Sequence, residues 1–170
     1  AHDDIPVLEL IGNILTSGRS SRLHRKIIYE DQSALSVFAS VDNNKAPGLF
    51  VITVNSIKQG HTLEEVESVA NESLERLKTE MVTERELEKA INQMETNLIF
   101  GLQTNFVKGM RIGFSLARTG DPLGFVKKLE SYRHATVEDI QKVAIKYFTP
   151  ENRTIIRLIP KGNSEIPIPK

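Results

Sequence analysis

The chain has 170 residues, a size that fits one domain with its own hydrophobic core. Hydrophobic residues make up 39% and charged residues 26%, a composition typical of a folded globular protein rather than a disordered one. The 22 basic and 22 acidic residues balance and Trp is absent, so neither a charge field nor an aromatic platform for nucleic acid is evident.

The absence of cysteine excludes disulfides, thiolate zinc ligands and cysteine nucleophiles. No apolar run approaches the roughly 20 residues that a bilayer-spanning helix needs. The chain starts at Ala1, without an initiator Met or a signal peptide, and we expect that this start is a cut one. Periplasm and cytoplasm both remain open as compartments.

An apolar stripe at helical spacing predicts a first helix over 5–15, with Pro6 tolerated in its first turn. The T-S-G sequence at 16–18 ends this helix, and Ser20 or Ser21 can cap a second one that carries Leu23, Ile27 and Ile28. The stripe of the first helix contains Val7, Leu8, Leu10, Ile11, Ile14 and Leu15.

Strict alternation over 34–41 predicts a strand, turn residues occupy 42–48, and 49–54 predicts a second strand. We therefore expect a β-hairpin over about 34–55. An extended peptide could add to one of its edges by main-chain pairing, which is a second hypothesis for peptide binding.

The middle of the chain is predicted to be helical, and three helix starts share one capping pattern. The patterns are Thr62 with Glu65, Thr83 with Glu86, and Thr136 with Asp139. Three glycines, Gly109, Gly113 and Gly120, are expected to break the second half into shorter helices. The last helix, over 137–147, is expected to end before Pro150 and Asn152, and to be followed by a third strand over 154–159.

These elements predict an α+β fold with helices packed on one face of a mainly antiparallel sheet. Residues 1–160 form a single domain in this interpretation, and 161–170 form a polar tail. Three strands make a thin sheet for so many helices, so we expect one or more strands to precede Ala1.

The four histidines share no ligand spacing. The sequence H-T-L-E-E at 61–65 is the nearest approach to a zinc-binding helix, but Glu65 stands where a second histidine is needed, and the capping pattern explains these residues without metal. A metallohydrolase using His61, Glu64 and Glu65 is therefore the weakest option. His2 lies at a terminus, while His24 and His134 are interpreted as a packed and a surface residue.

The loop over 18–21, G-R-S-S, leads directly into the second predicted helix. Free N–H groups and the helix dipole there suit a carboxylate or phosphate, although a tight turn with serine caps explains the same residues. Arg19, Arg22, Arg25 and Lys26 make this region locally basic, which indicates either a solvated face or attraction for acidic peptide segments.

Three stretches together resemble one protein family. They are S-S-R-L-H-R at 20–25, T-E-R-E-L-E-K-A at 83–90, and the closing series G-D-P at 120–122, A-T-V-E-D-I at 135–140 and Y-F-T-P-E-N at 147–152. In order and spacing the chain is similar to the zinc metallopeptidases of the pitrilysin, insulinase and mitochondrial-processing-peptidase kind. The zinc signature of that family, His-x-x-Glu-His, does not occur in the 170 residues.

The resemblance implies a noncatalytic half, most like a C-terminal domain, which helps to bind peptide and encloses a chamber with a catalytic partner. Zinc is then expected in that partner domain or subunit and no cofactor in this chain, while self-association is also possible. The resemblance makes the loop residues Gly18, Arg19, Ser20 and Arg22 candidates for peptide contact.

One departure from the family pattern concerns an Arg and a Tyr, seven residues apart, that many noncatalytic halves extend toward the partner's active site. Alignment on the 21–23 motif places Ile28 and Leu35 at these positions. The departure favours an alternative in which the chain is a structural or assembly subunit of the same fold without a proteolytic role.

Overall fold

The computed structural model describes residues 3–42 and 48–159, in which seven helices and one two-stranded sheet occur. The elements are Ile5–Thr16 (α1), Arg22–His24 (α2), Ala34–Val41 (β1), Phe50–Ile57 (β2), Leu63–Thr79 (α3), Glu84–Phe100 (α4), Asn105–Thr119 (α5), Gly124–Arg133 (α6) and Val137–Tyr147 (α7). A π-helical segment, Arg25–Glu30, continues α2 directly, and a 3-10 turn, Pro150–Asn152, follows α7. The predicted α+β class is confirmed. The predicted tail over 161–170 and positions 43–47 of the predicted turn lie outside the described residues.

Helix α1 is the centre of the core. Its side chains Leu10, Ile11 and Leu15 are fully buried, because β1 covers one side of the helix while α4, α6 and α7 cover the others. A helix surrounded in this way can be apolar over most of its circumference. Its predicted position is confirmed, with one further residue, Thr16, at its C-terminal end.

Strands β1 and β2 pair antiparallel in the predicted hairpin, and one face of the pair packs on α1. Val37 pairs with Val54 on the inward face, and both join the core together with Ile52. On the opposite face Phe38 is exposed, and it pairs with Thr53 of β2. The two faces alternate with a period of two residues over 37–41 and 50–54. At the start of β1 the alternation shifts, so that Ala34 is buried and Leu35 is 63% exposed, and Ser56 of β2 has a φ of 58° there.

All three predicted capping boxes form, at the starts of α3, α4 and α7. Each box satisfies two main-chain donors that the first helical turn leaves without an intrahelical partner. Each of these helices buries only a narrow apolar face. Leu77 of α3 and Ile140 of α7 are fully buried where these two helices pack together.

Two predicted helix breaks do not occur. Gly109 and Gly113 lie inside α5, which runs unbroken to Thr119, whereas Gly120 ends the helix with a φ of 75°. A single glycine weakens a helix interior by about 1 kcal/mol relative to alanine, which neighbouring residues can offset. Only the left-handed position requires a glycine, so only Gly120 terminates the helix.

The predicted third strand over 154–159 is also wrong, because these residues form no regular strand in the structure. The segment is instead held to α3 by side chains. Arg153 Nη1 donates to Asn71 Oδ1 at 2.5 Å, and Arg157 Nη2 donates to Glu67 Oε2 at 2.6 Å. A strand needs a neighbour for its main-chain groups, and the described part of the chain places none beside this segment.

Candidate functional site

The candidate site is the loop over 17–21, which follows α1. Thr16, the last residue of α1, fixes the start of this loop. The Thr16 hydroxyl donates to Gly12 O at 2.9 Å and accepts from the Ala39 N–H of β1 at 3.0 Å. The bond to Gly12 is buried, and the bond from Ala39 is partly buried. The loop therefore starts from a point that is tied to both the helix and the sheet.

The loop itself is a tight turn around Gly18. Gly18 has a φ of 82°, in the left-handed region that favours glycine, and its carbonyl oxygen accepts from Ser21 N at 3.1 Å and from Ser21 Oγ at 2.7 Å. Ser21 occupies the N-cap position of α2, but its hydroxyl bonds back to Gly18 and makes no cap bond. The expected role of Ser20 or Ser21 as a capping side chain is thus wrong, because the turn uses the Ser21 hydroxyl.

Arg22 is joined to Glu86 of α4 by two parallel hydrogen bonds. Arg22 Nε lies 2.7 Å from Glu86 Oε1, and Nη2 lies 2.9 Å from Oε2. Glu86 Oε2 also accepts from the Thr83 N–H at 2.9 Å within the capping box. The Arg22 bond, against the opposing effect of burial and with help from Thr83, lowers the pKa of Glu86 from 4.5 to about 2.

A second residue of α4, Lys89, holds the other side of the loop. Its Nζ donates to Ser20 Oγ at 2.8 Å and to Ser17 O at 3.4 Å. Arg19, in contrast, is exposed, and nothing in the described part of the chain accepts a hydrogen bond from it. The four predicted residues thus lie together. Gly18, Ser20 and Arg22 form hydrogen bonds that hold the loop, whereas the Arg19 side chain forms none within the described part of the chain.

A shallow polar groove of about 440 Å³ adjoins the loop on α4. Arg85, Glu88, Lys89, Asn92 and Gln93 are among its lining residues. The Gln93 amide nitrogen lies 3.5 Å from the position that a Cβ on Gly18 would take. The N–H groups of Arg19, Arg85 and Lys89 could donate hydrogen bonds to a carboxylate or to a carbonyl oxygen. Glu86 and Lys89 were not predicted as parts of this site, since they lie more than 60 residues from the loop in sequence.

Apolar side chains occupy both positions that depart from the family pattern. Ile28 packs against the hydrophobic core from the π-helical segment. Leu35 is 63% exposed at the start of β1. Neither side chain can donate a hydrogen bond, so neither can replace an Arg or a Tyr in binding a peptide.

The described residues around His61 do not fit a zinc site. His61 Nδ1 lies 3.4 Å from Glu65 Oε2, but that carboxylate already accepts from the Thr62 N–H in a capping box, and Glu64 pairs with Arg157. Across 3–42 and 48–159 no three His, Cys, Asp or Glu side chains gather as a metal site. His24 packs against the Tyr29 ring, and His134 bonds to Glu130 O.

The structure is an α+β domain whose described residues hold no zinc ligand set. The family model of the Peptidase M16 inactive domain matches residues 1–94, which is more than half of the chain. The chain therefore belongs to the Peptidase M16 inactive domain family, and the resemblance seen in the sequence is confirmed.

Solved structures from two Bordetella species share the fold over 94% of the chain. The inactive peptidase domain of a zinc-protease-like protein from Bordetella parapertussis is 25% identical, with a TM-score of 0.83 over 86% of that chain. A zinc-protease-like protein from Bordetella pertussis Tohama I is 26% identical, with a TM-score of 0.81 over 87% of that chain.

Among curated proteins, the "uncharacterized zinc protease YmxG" of Bacillus subtilis (strain 168) is 24% identical over 162 residues. The match covers 95% of this chain but only 39% of that relative. The chain thus spans about two fifths of the length of the curated relative. No helix within the described ranges is both long and apolar enough to cross a membrane.

Proposed function

We propose that this chain is the noncatalytic half of a zinc metallopeptidase, which binds peptide and encloses the proteolytic chamber together with a catalytic, zinc-bearing partner. The observation that carries the proposal is its membership of the inactive-domain family. The partner supplies the metal that polarises the peptide carbonyl and activates water. This chain supplies a surface that orients the peptide.

In this proposal the loop after α1 contacts the peptide, and the Arg19 side chain makes that contact. Arg19 keeps its five donors available, whereas Lys89 and Glu86 hold the loop on which it stands. A guanidinium on a rigid loop loses less conformational freedom on binding than one on a mobile loop. Carboxylates of an acidic segment or a peptide C-terminus fit this donor best.

The test combines the chain with the polypeptide of the same organism that carries His-x-x-Glu-His, in the same reading frame or an adjacent one. We expect a complex by analytical ultracentrifugation, and a kcat/KM for peptide cleavage at least about tenfold above that of the catalytic polypeptide alone. Absence of a complex contradicts the proposal. A complex whose formation leaves kcat/KM unchanged supports a structural subunit instead.

The loop contact is tested separately with Arg19→Ala. Removing one charge-assisted hydrogen bond, about 1.5–3 kcal/mol, raises KM for acidic peptides by roughly tenfold or more and leaves complex formation intact. Arg25→Ala is the matched control, because Arg25 is equally basic and exposed but pairs with Glu30 at 2.8 Å. Equal effects of the two variants mean that overall charge, and not the loop, attracts the peptide.

A further inference from the structure

The polar groove beside the loop runs along one face of α4. Its lining side chains follow one another at spacings of three and four residues, which place them on the same side of a helix. The polar members of this lining are Arg85, Lys89, Asn92, Gln93, Thr96 and Asn97. From position 85 to position 97 the helix rises about 18 Å, a distance that about five residues of an extended peptide cover.

Three neighbouring side-chain amides in the groove are unpaired. They belong to Asn92, Gln93 and Asn97, and none of them forms a hydrogen bond within 3–42 and 48–159. Each amide offers N–H donors and a carbonyl acceptor, which are the same groups that a peptide main chain carries. A row of such amides can therefore pair with the main chain of an extended peptide, whatever its side chains are.

The oxygen of Gln93 shows that the pairing of this amide is incomplete. Gln93 Oε1 is buried, and it accepts no hydrogen bond from the part of the chain that the structure describes. An unpaired buried acceptor costs free energy, and native proteins rarely contain one without a reason. The amide nitrogen lies on the side of Gly18. Because a half-turn about the last side-chain bond exchanges the two atoms, the oxygen can turn to this side and accept from an N–H of a ligand.

Gly18 leaves space between the loop and α4. A Cβ on this residue would stand 3.5 Å from Gln93 Nε2 and 3.7 Å from Lys89 Nζ, which are ordinary contact distances. Any side chain longer than a methyl group would therefore extend over these two groups. The glycine that the turn requires for its positive φ also keeps the Gln93 amide and the Lys89 ammonium uncovered on the loop side.

Positive charge is concentrated at the end of the groove that lies near the start of α4. Arg19 and Arg85 are exposed, and neither forms an ion pair within the described ranges. Lys89 follows Arg85 by one helical turn. Among the groove residues that the structure describes, Glu88 alone is acidic. Since the positive end of the helix dipole lies at the same place, a carboxylate is favoured there.

We propose that this groove binds an extended peptide of about five residues, with a carboxylate at Arg19 and Arg85 and its main chain along the amides of Asn92, Gln93 and Asn97. The proposal rests on the proposed function, because it specifies which peptides the loop after α1 receives. The carboxylate is either the C-terminus of the peptide or an acidic side chain, since both present the same two oxygens to a guanidinium.

The experiment is a titration of the ¹⁵N-labelled 170-residue chain, followed by NMR of its side-chain amides. Three peptides are compared: acetylated pentaalanine with a free C-terminal carboxylate, the same peptide as its C-terminal amide, and that amide with glutamate as its last residue. We expect a carboxylated peptide to shift the signals of Asn92, Gln93 and Asn97, with a Kd at least about tenfold below that of the neutral peptide.

Each outcome of the titration decides the proposal. Tighter binding of either carboxylated peptide supports it, and the peptide that binds identifies the source of the carboxylate. The proposal is overturned when no saturable shift of the three amides occurs at about 1 mM peptide, or when the neutral peptide binds equally well. The titration uses this chain alone, so its failure is distinguishable from failure to form a complex with a catalytic partner.

Arg85→Gln tests the charged end of the groove. This substitution removes one exposed guanidinium from a helix surface, and we expect the Kd of the carboxylated peptide to rise about tenfold while that of the neutral peptide stays unchanged. Lys142→Gln is the matched control, because it removes one exposed charge from α7, outside the groove. Equal effects of the two substitutions overturn the proposal.

Gln93→Met tests the amide row and separates binding from folding. The substitution keeps the length of the side chain and removes the unpaired buried oxygen, so the midpoint of urea unfolding is expected to rise. The Kd of the carboxylated peptide is expected to rise at least about threefold, because the amide that pairs with the peptide is lost. An unchanged Kd overturns the proposal, whatever the midpoint. If this variant does not fold, Asn92→Ala, at an exposed position, takes its place with the same expected rise in Kd.

Discussion

Arg22 and Glu86 join the loop after α1 to the first turn of α4 through two parallel hydrogen bonds of 2.7 and 2.9 Å. The pair is 64 residues apart in sequence, and both side chains are largely shielded from solvent. Glu86 also closes a capping box with Thr83. One carboxylate thus stabilises both a helix start and the position of the loop.

Arg22→Ala is expected to lower the free energy of unfolding by about 1–3 kcal/mol, because it leaves the Glu86 carboxylate partly buried without its bidentate partner. Arg22→Lys is expected to recover only part of this loss, since an ammonium cannot form both bonds in one plane. Urea unfolding measures the change. Arg25→Ala serves as the control with an expected effect within about 0.5 kcal/mol, and a similar loss in both arginine variants would contradict the interpretation.

Stability is expected to fall in acid through Glu86. Its pKa is about 2 in the folded protein and 4.5 ordinarily, so the unfolded chain binds the proton more readily. The contribution is therefore present above about pH 4.5 and is lost as pH falls toward 2. After allowance for solvent screening it amounts to about 1–2 kcal/mol. Unfolding measured between pH 6 and 2.5 should show a shallower slope for Glu86→Gln than for the unsubstituted chain, and parallel slopes would refute this.

Thr16→Val keeps the side-chain volume but removes the hydroxyl that accepts from the Ala39 N–H. The partly buried N–H then lacks its partner, which is expected to cost about 1–2 kcal/mol of unfolding free energy. Thr16→Ser retains the hydroxyl and should lose less. Thr53→Val, on the exposed face of β2, is the control and is expected to be neutral or slightly stabilising. Thermal unfolding of the three variants checks this order.

Two glycine substitutions near the end of α5 are expected to have opposite signs. Gly120 has a φ of 75°, so Gly120→Ala should destabilise by about 1 kcal/mol through backbone strain alone, since a Cβ there would meet no atom within 4 Å. Gly113 lies in the helix interior with the same open surroundings, so Gly113→Ala should stabilise by about 0.5–1 kcal/mol. Shifts of the same sign in chemical unfolding would show that the helix ends elsewhere.

The isolated chain, without an affinity tag, is expected to carry no stoichiometric zinc. Elemental analysis after dialysis measures this, and His61→Ala should leave the metal content unchanged, because Glu65 is held by the capping box at Thr62. One zinc per chain that is lost in His61→Ala would instead support the metallohydrolase interpretation.

Features that depend on neighbours in sequence were predicted well. The capping boxes at Thr62, Thr83 and Thr136 need only residues three apart, and the hairpin needs only alternation and a turn. The third strand failed for the opposite reason. Its residues have the right propensity, but a strand also needs a partner, and periodicity does not show where that partner lies.

In the candidate site, too, the local pattern was predicted and the distant contacts were not. The motif at 20–25 identified the loop, while the residues that hold it, Glu86 and Lys89, come from a distant helix and give no local signal. Arg22 illustrates the limit: as part of a basic cluster it was a candidate for peptide contact, but its guanidinium is already bound within the fold. The proposal of substrate contact at this loop therefore depends on Arg19.

Thr16 has a mechanical consequence, because its one hydroxyl spans helix α1 and strand β1. A displacement of the hairpin pulls directly on the last turn of α1 and so on the loop that follows. The loop that carries Arg19 thus starts from a residue whose position depends on both the helix and the hairpin.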